Sequence, residues 1–267
     1  MKLIISIVLL LLVLVLPHVP AEAQTMRVWK DGAQLYSVEV SGVDSISFFY
    51  VEEQPVKEEV PEFVDLGLSV KWASCNLGAT SPEQAGDYYA WGETEPNGKY
   101  EERYYKYCKK GFNVYEYTKY NKKDEKLYLE MDDDAAHVKY GGKCRIPTDN
   151  EWRELLDENN CEWKLFIVRG KTNVQGFKVT SKKEGYTDKS IFLPAAGFCM
   201  SEEDNSKGRF LNNHGYYWSS RLFTPVGYNQ AYILFFSYTD VAYNNKRPSL
   251  NETVRADGVP IRPVSDY

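Results

Sequence analysis

Arg145-Ile146-Pro147-Thr148-Asp149-Asn150-Glu151-Trp152 is the stretch on which the fold turns. Thr148 and Glu151 form a capping box, in which each side chain satisfies an orphan N–H of the first helical turn. A helix is therefore predicted over residues 149–159. Trp152, Leu155 and Leu156 then fall at i, i+3 and i+4, the spacing that buries one stripe of a helix.

Outward from that helix the pattern shortens to strands. Residues 64–73 read as a strand pair bent at Gly67, and residues 87–91 as a further short strand. Residues 163–168, 176–180, 190–193, 216–219, 231–236 and 259–264 read as strands between Gly, Asn and Ser turns. Three further blocks recur in order: Phe192-Leu193-Pro194-Ala195-Ala196-Gly197-Phe198, Gly215-Tyr216-Tyr217-Trp218-Ser219-Ser220 and Gly258-Val259-Pro260-Ile261-Arg262-Pro263-Val264. Each joins an apolar or aromatic cluster to a Gly or Pro that constrains the backbone. The expected class is α+β, mostly short antiparallel strands and loops with one or two helices.

The first residues differ in kind. Lys2 precedes an apolar run over residues 3–16, followed by Pro17, Pro20 and Ala21-Glu22-Ala23. That pattern predicts a secretory signal peptide over residues 1–23, because a membrane span needs about 20 apolar residues. Residues 26–30 and 34–40 are alternating runs on either side of Asp31-Gly32-Ala33, a β-hairpin pattern, since Asp-Gly supplies the positive φ angles of a tight turn. A third run, residues 46–51, adds a strand candidate. Residues 52–62 carry five Glu, two Pro and no aromatic, a composition that cannot bury a core and reads as a linker. The expected division is a leader at 1–23, a small β-hairpin module at 24–51, the linker, and a main domain at 63–267.

A net charge of −6 with no Lys/Arg stripe leaves no electrostatic footprint for nucleic acid. Lys106, Lys109, Lys110, Lys119, Lys122 and Lys123 are interleaved with tyrosines and read as a solvated face. No later segment is apolar for long enough to span a bilayer. Cys75, Cys108, Cys144, Cys161 and Cys199 allow one or two disulfides in an oxidising space, and structural or buried thiols are the favoured reading. No CxxC pair is present, and His137 and His214 lie far apart, so neither metal nor cofactor is expected.

Val64-Asp65-Leu66-Gly67-Leu68-Ser69-Val70-Lys71-Trp72-Ala73, Asn76-Leu77-Gly78-Ala79 and Tyr89-Ala90-Trp91-Gly92-Glu93-Thr94 precede the blocks already quoted. Together with Arg145-Ile146-Pro147-Thr148, Phe192-Leu193-Pro194-Ala195-Ala196-Gly197, Tyr217-Trp218-Ser219-Ser220 and Ile261-Arg262-Pro263-Val264, they resemble the major paralogous domain family first named from Fibrobacter succinogenes. That family is abundant in secreted proteins of gut Bacteroidetes. The resemblance implies a C-type lectin-like fold, with kinship to formylglycine-generating enzymes and to receptors diversified by retroelements. The hairpin pattern with Val43-Asp44-Ser45-Ile46 resembles a module that often precedes such domains.

In the diversified receptors the ligand face lies near the C-terminus. Here the corresponding stretch offers Tyr228, Asn229, Gln230, Tyr243, Asn244 and Asn245 as loop residues for an unknown protein or glycan ligand. Tyr supplies a rigid contact area with a polar tip, and Asn donates and accepts hydrogen bonds. Tyr217, Trp218, Tyr232, Leu234 and Phe236 alternate and read as core.

Other candidates are weaker. Glu95-Pro96-Asn97 has the letters of a lectin calcium motif but follows an early block, and Trp218 is followed by Ser219-Ser220, so it reads as chance. Asp132-Asp133-Asp134 reads as a solvated acidic turn. Residues 100–140 hold nine tyrosines among charges. They read either as a long loop whose tyrosines cover apolar surface and expose hydroxyls, or as an extension of the binding face.

The functional expectation is an exported ligand-binding protein of the bacterial cell envelope, engaged in adhesion or recognition. A formylglycine-generating-like enzyme is the alternative, but Cys199 has no partner thiol and no paired carboxylates can be placed. A fimbrial or envelope subunit, pairing through the edge of the N-terminal hairpin, is another.

Overall fold

The computed structural model describes residues 25–30, 33–39, 60–111, 115–170, 173–200, 211–238 and 248–267. Short antiparallel strands dominate these residues. In chain order they are β1 (Thr25–Lys30), β2 (Ala33–Glu39), β3 (Phe63–Val64), β4 (Lys71–Ala73), β5 (Tyr88–Tyr89), β6 (Cys108–Lys110), β7 (Tyr115–Tyr117), α1 (Ala135–Tyr140), β8 (Cys144–Arg145), α2 (Asp149–Leu156), β9 (Cys161–Val168), β10 (Val174–Ser181), β11 (Ser190–Pro194), β12 (His214–Phe223), β13 (Gln230–Ser237), β14 (Ser249–Val254), β15 (Val259–Pro260) and β16 (Val264–Ser265). The leader, the strand candidate at 46–51 and most of the linker expected at 52–62 lie outside the described residues. Among the described residues, no helix is long and apolar enough to cross a membrane.

The chain divides into two compact units, Met1–Val56 and Lys57–Tyr267. In the first, β1 and β2 pair as an antiparallel hairpin with an irregularity between Val28 and Trp29.

In the second unit, residues far apart in sequence are brought together by one small sheet of order β3-β4-β16-β8. Val264 lies opposite Trp72 on one side and Arg145 on the other. The bend between β3 and β4 depends on Gly67, whose φ is +71°. Its N–H donates to the Asp65 carboxylate at 2.8 Å, and the Tyr186 ring fills the space a Cβ would need.

Helix α2 carries the anticipated capping box, with Glu151 N–H donating to Thr148 Oγ1 and Thr148 N–H donating to Glu151. Trp152 and Leu155 are buried, and the Trp152 indole donates to the Trp218 carbonyl at 3.2 Å. The helix stops at Leu156, short of the expected 159, because the backbone turns extended at Asp157, with ψ 121°.

Strands β12, β13 and β14 form an antiparallel sheet that separates two cores. Alternation along a strand sends neighbouring side chains to opposite faces. Tyr217, Leu234 and Phe236 therefore join Trp72, Trp152 and Leu193 on one side. Trp218, Ile233 and Ala231 join Tyr89, Trp91 and Ile261 on the other. Burying an aromatic or aliphatic side chain contributes about 1.5–3 kcal/mol, so this twice-covered sheet is the centre of the domain.

Two buried arginines clamp the loops to that centre. Arg262 donates to Asn76 Oδ1 and to the carbonyls of Ala73, Ser74 and Phe192, all at 2.8–2.9 Å. Burial presses its pKa below the usual value. Arg255 donates to Tyr105 Oη and to the carbonyls of Tyr120, Tyr228 and Lys119, and lies 4.8 Å from the Tyr117 ring centre. Neither guanidinium has a carboxylate partner among these bonds; main-chain dipoles and ring faces replace water.

Within residues 100–140 the expectation of tyrosines that cover apolar surface and expose their hydroxyls is corrected at four positions, whereas Tyr104, Tyr115 and Tyr128 are exposed. Tyr100, Tyr105, Tyr107 and Tyr120 are buried, and their hydroxyls point inward. Tyr100 donates to the Tyr88 carbonyl at 2.6 Å, Tyr105 to the Trp91 carbonyl, and Tyr107 and Tyr120 to Asp133. These tyrosines are core, not cover. Asp132-Asp133-Asp134 is likewise no solvated turn, since Asp133 and Asp134 are buried. Burial alone would raise the Asp133 pKa, but hydrogen bonds from Lys119, Tyr107 and Tyr120 draw it down to about 2. Asp134 caps α1, accepts from His137 N and Ile146 N, and burial pushes it up to about 6. Lys106 and Lys119 reach Asp133, whereas Lys109, Lys110, Lys122 and Lys123 are exposed as expected. All five cysteines are free thiols, four of them buried, so none of the allowed disulfides forms.

Candidate functional site

The C-terminal sheet is covered by α2 only in part. Beyond the N-terminal end of that helix, β12 and β13 leave a half-buried surface formed by Arg221, Phe223, Gln230 and Tyr232. Strand alternation puts these residues on one face, and the register of β12 against β13 shifts between Trp218 and Leu222. Phe223 pairs directly with Gln230, and Tyr232 with Glu252 of β14.

A second segment borders this surface. Leu129 N–H donates to the Ser220 carbonyl at 2.9 Å and Leu222 N–H to the Leu127 carbonyl at 2.8 Å, which brings Tyr128 alongside Arg221. The Arg221 guanidinium then lies 5.7 Å from the Tyr128 ring centre and 5.5 Å from that of Tyr232. Phe223 meets Tyr232 edge to face at 5.1 Å.

Asp149 holds the cation in place. Its carboxylate is fully buried, accepts from Arg221 Nη1 at 2.7 Å and sits 3.4 Å from the Tyr128 hydroxyl. Hydrogen bonding to Asp149 raises the Arg221 pKa, so the guanidinium is charged at any physiological pH. The surface thus presents three aromatic rings, a fixed cation, the Gln230 amide and the exposed Glu252 carboxylate. Ring faces take up sugar C–H faces or apolar side chains, and the polar groups pair with hydroxyls, amides or carboxylates.

Of the residues chosen from sequence, Gln230 forms part of this surface, and Tyr228 and Asn229 precede it; all three are half-buried, and Tyr228 packs against the core of Trp91 and Tyr105. The turn that carries them is pinned through its main chain: the Tyr228 carbonyl accepts from Arg255 Nη1 and the Asn229 carbonyl from Arg255 N–H, both at 2.9 Å. Tyr243, Asn244 and Asn245 lie outside the described residues. Tyr232 is corrected from core to half-exposed, whereas Tyr217, Trp218, Leu234 and Phe236 are buried as expected. Arg221, Phe223 and Glu252 were not legible as site residues, whereas Tyr128 belongs to the tyrosine-rich stretch read, as one alternative, as an extension of the binding face. The period-two spacing of Arg221 and Phe223 was the available signal, but which residues face them across β13 is set by a shift in register, a tertiary feature.

The lectin-like tripeptide is absorbed into its own loop. Asn97 donates to Glu93, and Asn97 Oδ1 accepts from Lys99 N–H at 2.7 Å. Among the described residues, no group of three or more His, Cys, Asp or Glu side chains is placed to hold a metal ion. No family model, curated protein or solved structure matches the chain.

Proposed function

We propose that the chain is an exported ligand-binding protein of the cell envelope, whose main domain has the C-type lectin-like fold of the major paralogous domain family. The fold reading is supported by the short antiparallel strands around two helices and by β16 lying between β4 and β8, which ties the end of the domain to its beginning.

The functional reading is carried by one observation: Arg221, fixed by buried Asp149, lies between the exposed ring of Tyr128 and the half-buried ring of Tyr232. A cation held rigid among aromatic faces loses little freedom on binding, which favours recognition of a glycan or peptide surface. On an array of immobilised glycans and proteins, the chain is expected to be retained selectively. The double variant Phe223→Ala, Tyr232→Ala is expected to lose about tenfold or more in affinity while keeping its circular dichroism spectrum. Retention unchanged in that variant would remove the site from this face.

A further inference from the structure

Strand β9 ends the sheet of order β11-β10-β9, and among the described residues it pairs with β10 alone. Its outward N–H and C=O groups therefore face away from the sheet with no described strand beside them. Natural edges of this kind are usually guarded by charge, proline or a bulge. Here Leu165, Phe166 and Ile167 are consecutive, apolar and 55%, 48% and 46% exposed. No proline interrupts β9, and its charges, Glu162 and Lys164, lie at the other end and pair with each other at 2.8 Å.

An open cleft of about 350 Å³ adjoins this edge; its lining includes Val64, Phe166, Ile191 and Phe192 and two charged residues, Glu83 and Lys178. Gly176 creates the room for its floor: it lies opposite Phe166, and the Phe192 ring occupies the space of the missing Cβ. Phe166 and Phe192 then meet edge to face at 6.1 Å. Beside them Lys178 lies directly opposite Lys164. Lys164 already has Glu162, whereas Lys178 is exposed and has no carboxylate partner among the described residues.

We propose that β9 and this cleft form a second binding site, which accepts an extended polypeptide segment by strand addition. An apolar side chain of the segment enters the cleft and a carboxylate meets Lys178. Main-chain bonds along an edge supply affinity in such recognition, and pockets for alternate side chains supply selectivity. A second copy of the chain fits worse. Two-fold antiparallel pairing of β9 about Leu165 puts Lys164 and Lys178 of both copies on one face. The site is separate from the Arg221 surface and stands whether or not that surface binds a ligand.

The test uses the full chain and fluorescein-labelled peptides as long as β9, eight residues. The peptides alternate valine or phenylalanine with threonine, each with one glutamate, and anisotropy and amide hydrogen exchange are read. Saturable binding with new protection at residues 162–168 is expected. Ile167→Lys is expected to weaken it about tenfold by charging the edge. Lys178→Glu is expected to weaken it roughly fivefold, and to have no such effect on the glutamine version of the peptide. Absence of binding, or binding indifferent to Ile167→Lys, overturns the proposal. Sedimentation as a dimer that Ile167→Lys dissolves overturns it in favour of a second copy.

Discussion

Asp149, the first residue of α2, is fully buried and accepts a hydrogen bond from Arg221 of β12 at 2.7 Å. The same carboxylate lies 3.7 Å from Arg153 one turn further along the helix. One acidic group thus joins the start of the helix to the exposed face of the C-terminal sheet. Asp149→Ala leaves Arg221 without its anchor and is expected to cost about 3 kcal/mol, the usual penalty for breaking a buried charge pair. Urea unfolding measures the loss. Ligand retention is expected to fall with it, and Arg221→Met is expected to cost at least as much, because it leaves the fully buried Asp149 carboxylate without its nearest cation, whereas Asp149→Ala leaves a partly solvated guanidinium.

Arg255 is the most connected side chain of the aromatic core. Arg255→Met removes four hydrogen bonds and strands the carbonyls of Lys119, Tyr120 and Tyr228. The expected loss is about 3–5 kcal/mol, read from the urea midpoint, with the turn at Tyr228 and Asn229 becoming susceptible to limited proteolysis. A midpoint within error of wild type would show that main-chain dipoles do not need this cation.

Stability should fall as pH rises from 4 to 7. Burial raises Asp134 and Asp257 to about 6. A carboxyl whose folded pKa exceeds its unfolded value of about 3.9 binds its proton more tightly in the folded state. Its contribution is complete below the unfolded value and is lost as pH rises through the folded one. Asp133, drawn down to about 2, acts in the opposite sense, stabilising above the unfolded value and failing only in strong acid. Urea midpoints at pH 4.5 and 7 should therefore differ in wild type and differ less in Asp257→Asn. Equal differences in the two proteins would refute this account.

The five free cysteines predict identical electrophoretic mobility and melting temperature with and without a reducing agent. Burial raises the Cys144 and Cys161 thiols to about 12 and Cys108 to about 11. Cys108 is the only one not fully buried, so native-state labelling with a maleimide should be slow overall and reach Cys108 first. Rapid labelling of Cys199 would contradict its burial.

The local elements were legible because local chemistry decides them. Thr148 and Glu151 carry a helix-start signal within four residues, and the positive φ of the Gly67 bend is a local demand, to which only the fold adds the Tyr186 ring against its missing Cβ. Long-range pairing left no such mark. Nothing near Tyr107 or Tyr120 in sequence indicates that their hydroxyls converge on Asp133, so aromatic residues among charges resemble surface when they are core. Sequence placed its binding candidates around Tyr228, Asn229 and Gln230, whereas the Arg221 surface is assembled from β12, β13 and the segment at Tyr128, which meet only through long-range pairing.

Sequence by itself determined the helix start, the strand-rich class and the turn positions, since each depends on the conformational preferences of a few adjacent residues. Tertiary structure alone decided which tyrosines are buried, that Asp149 reaches Arg221, and that no described strand covers the apolar edge of β9. Those outcomes depend on which surfaces meet after the chain closes, and on whether a buried polar group finds a partner from a distant segment.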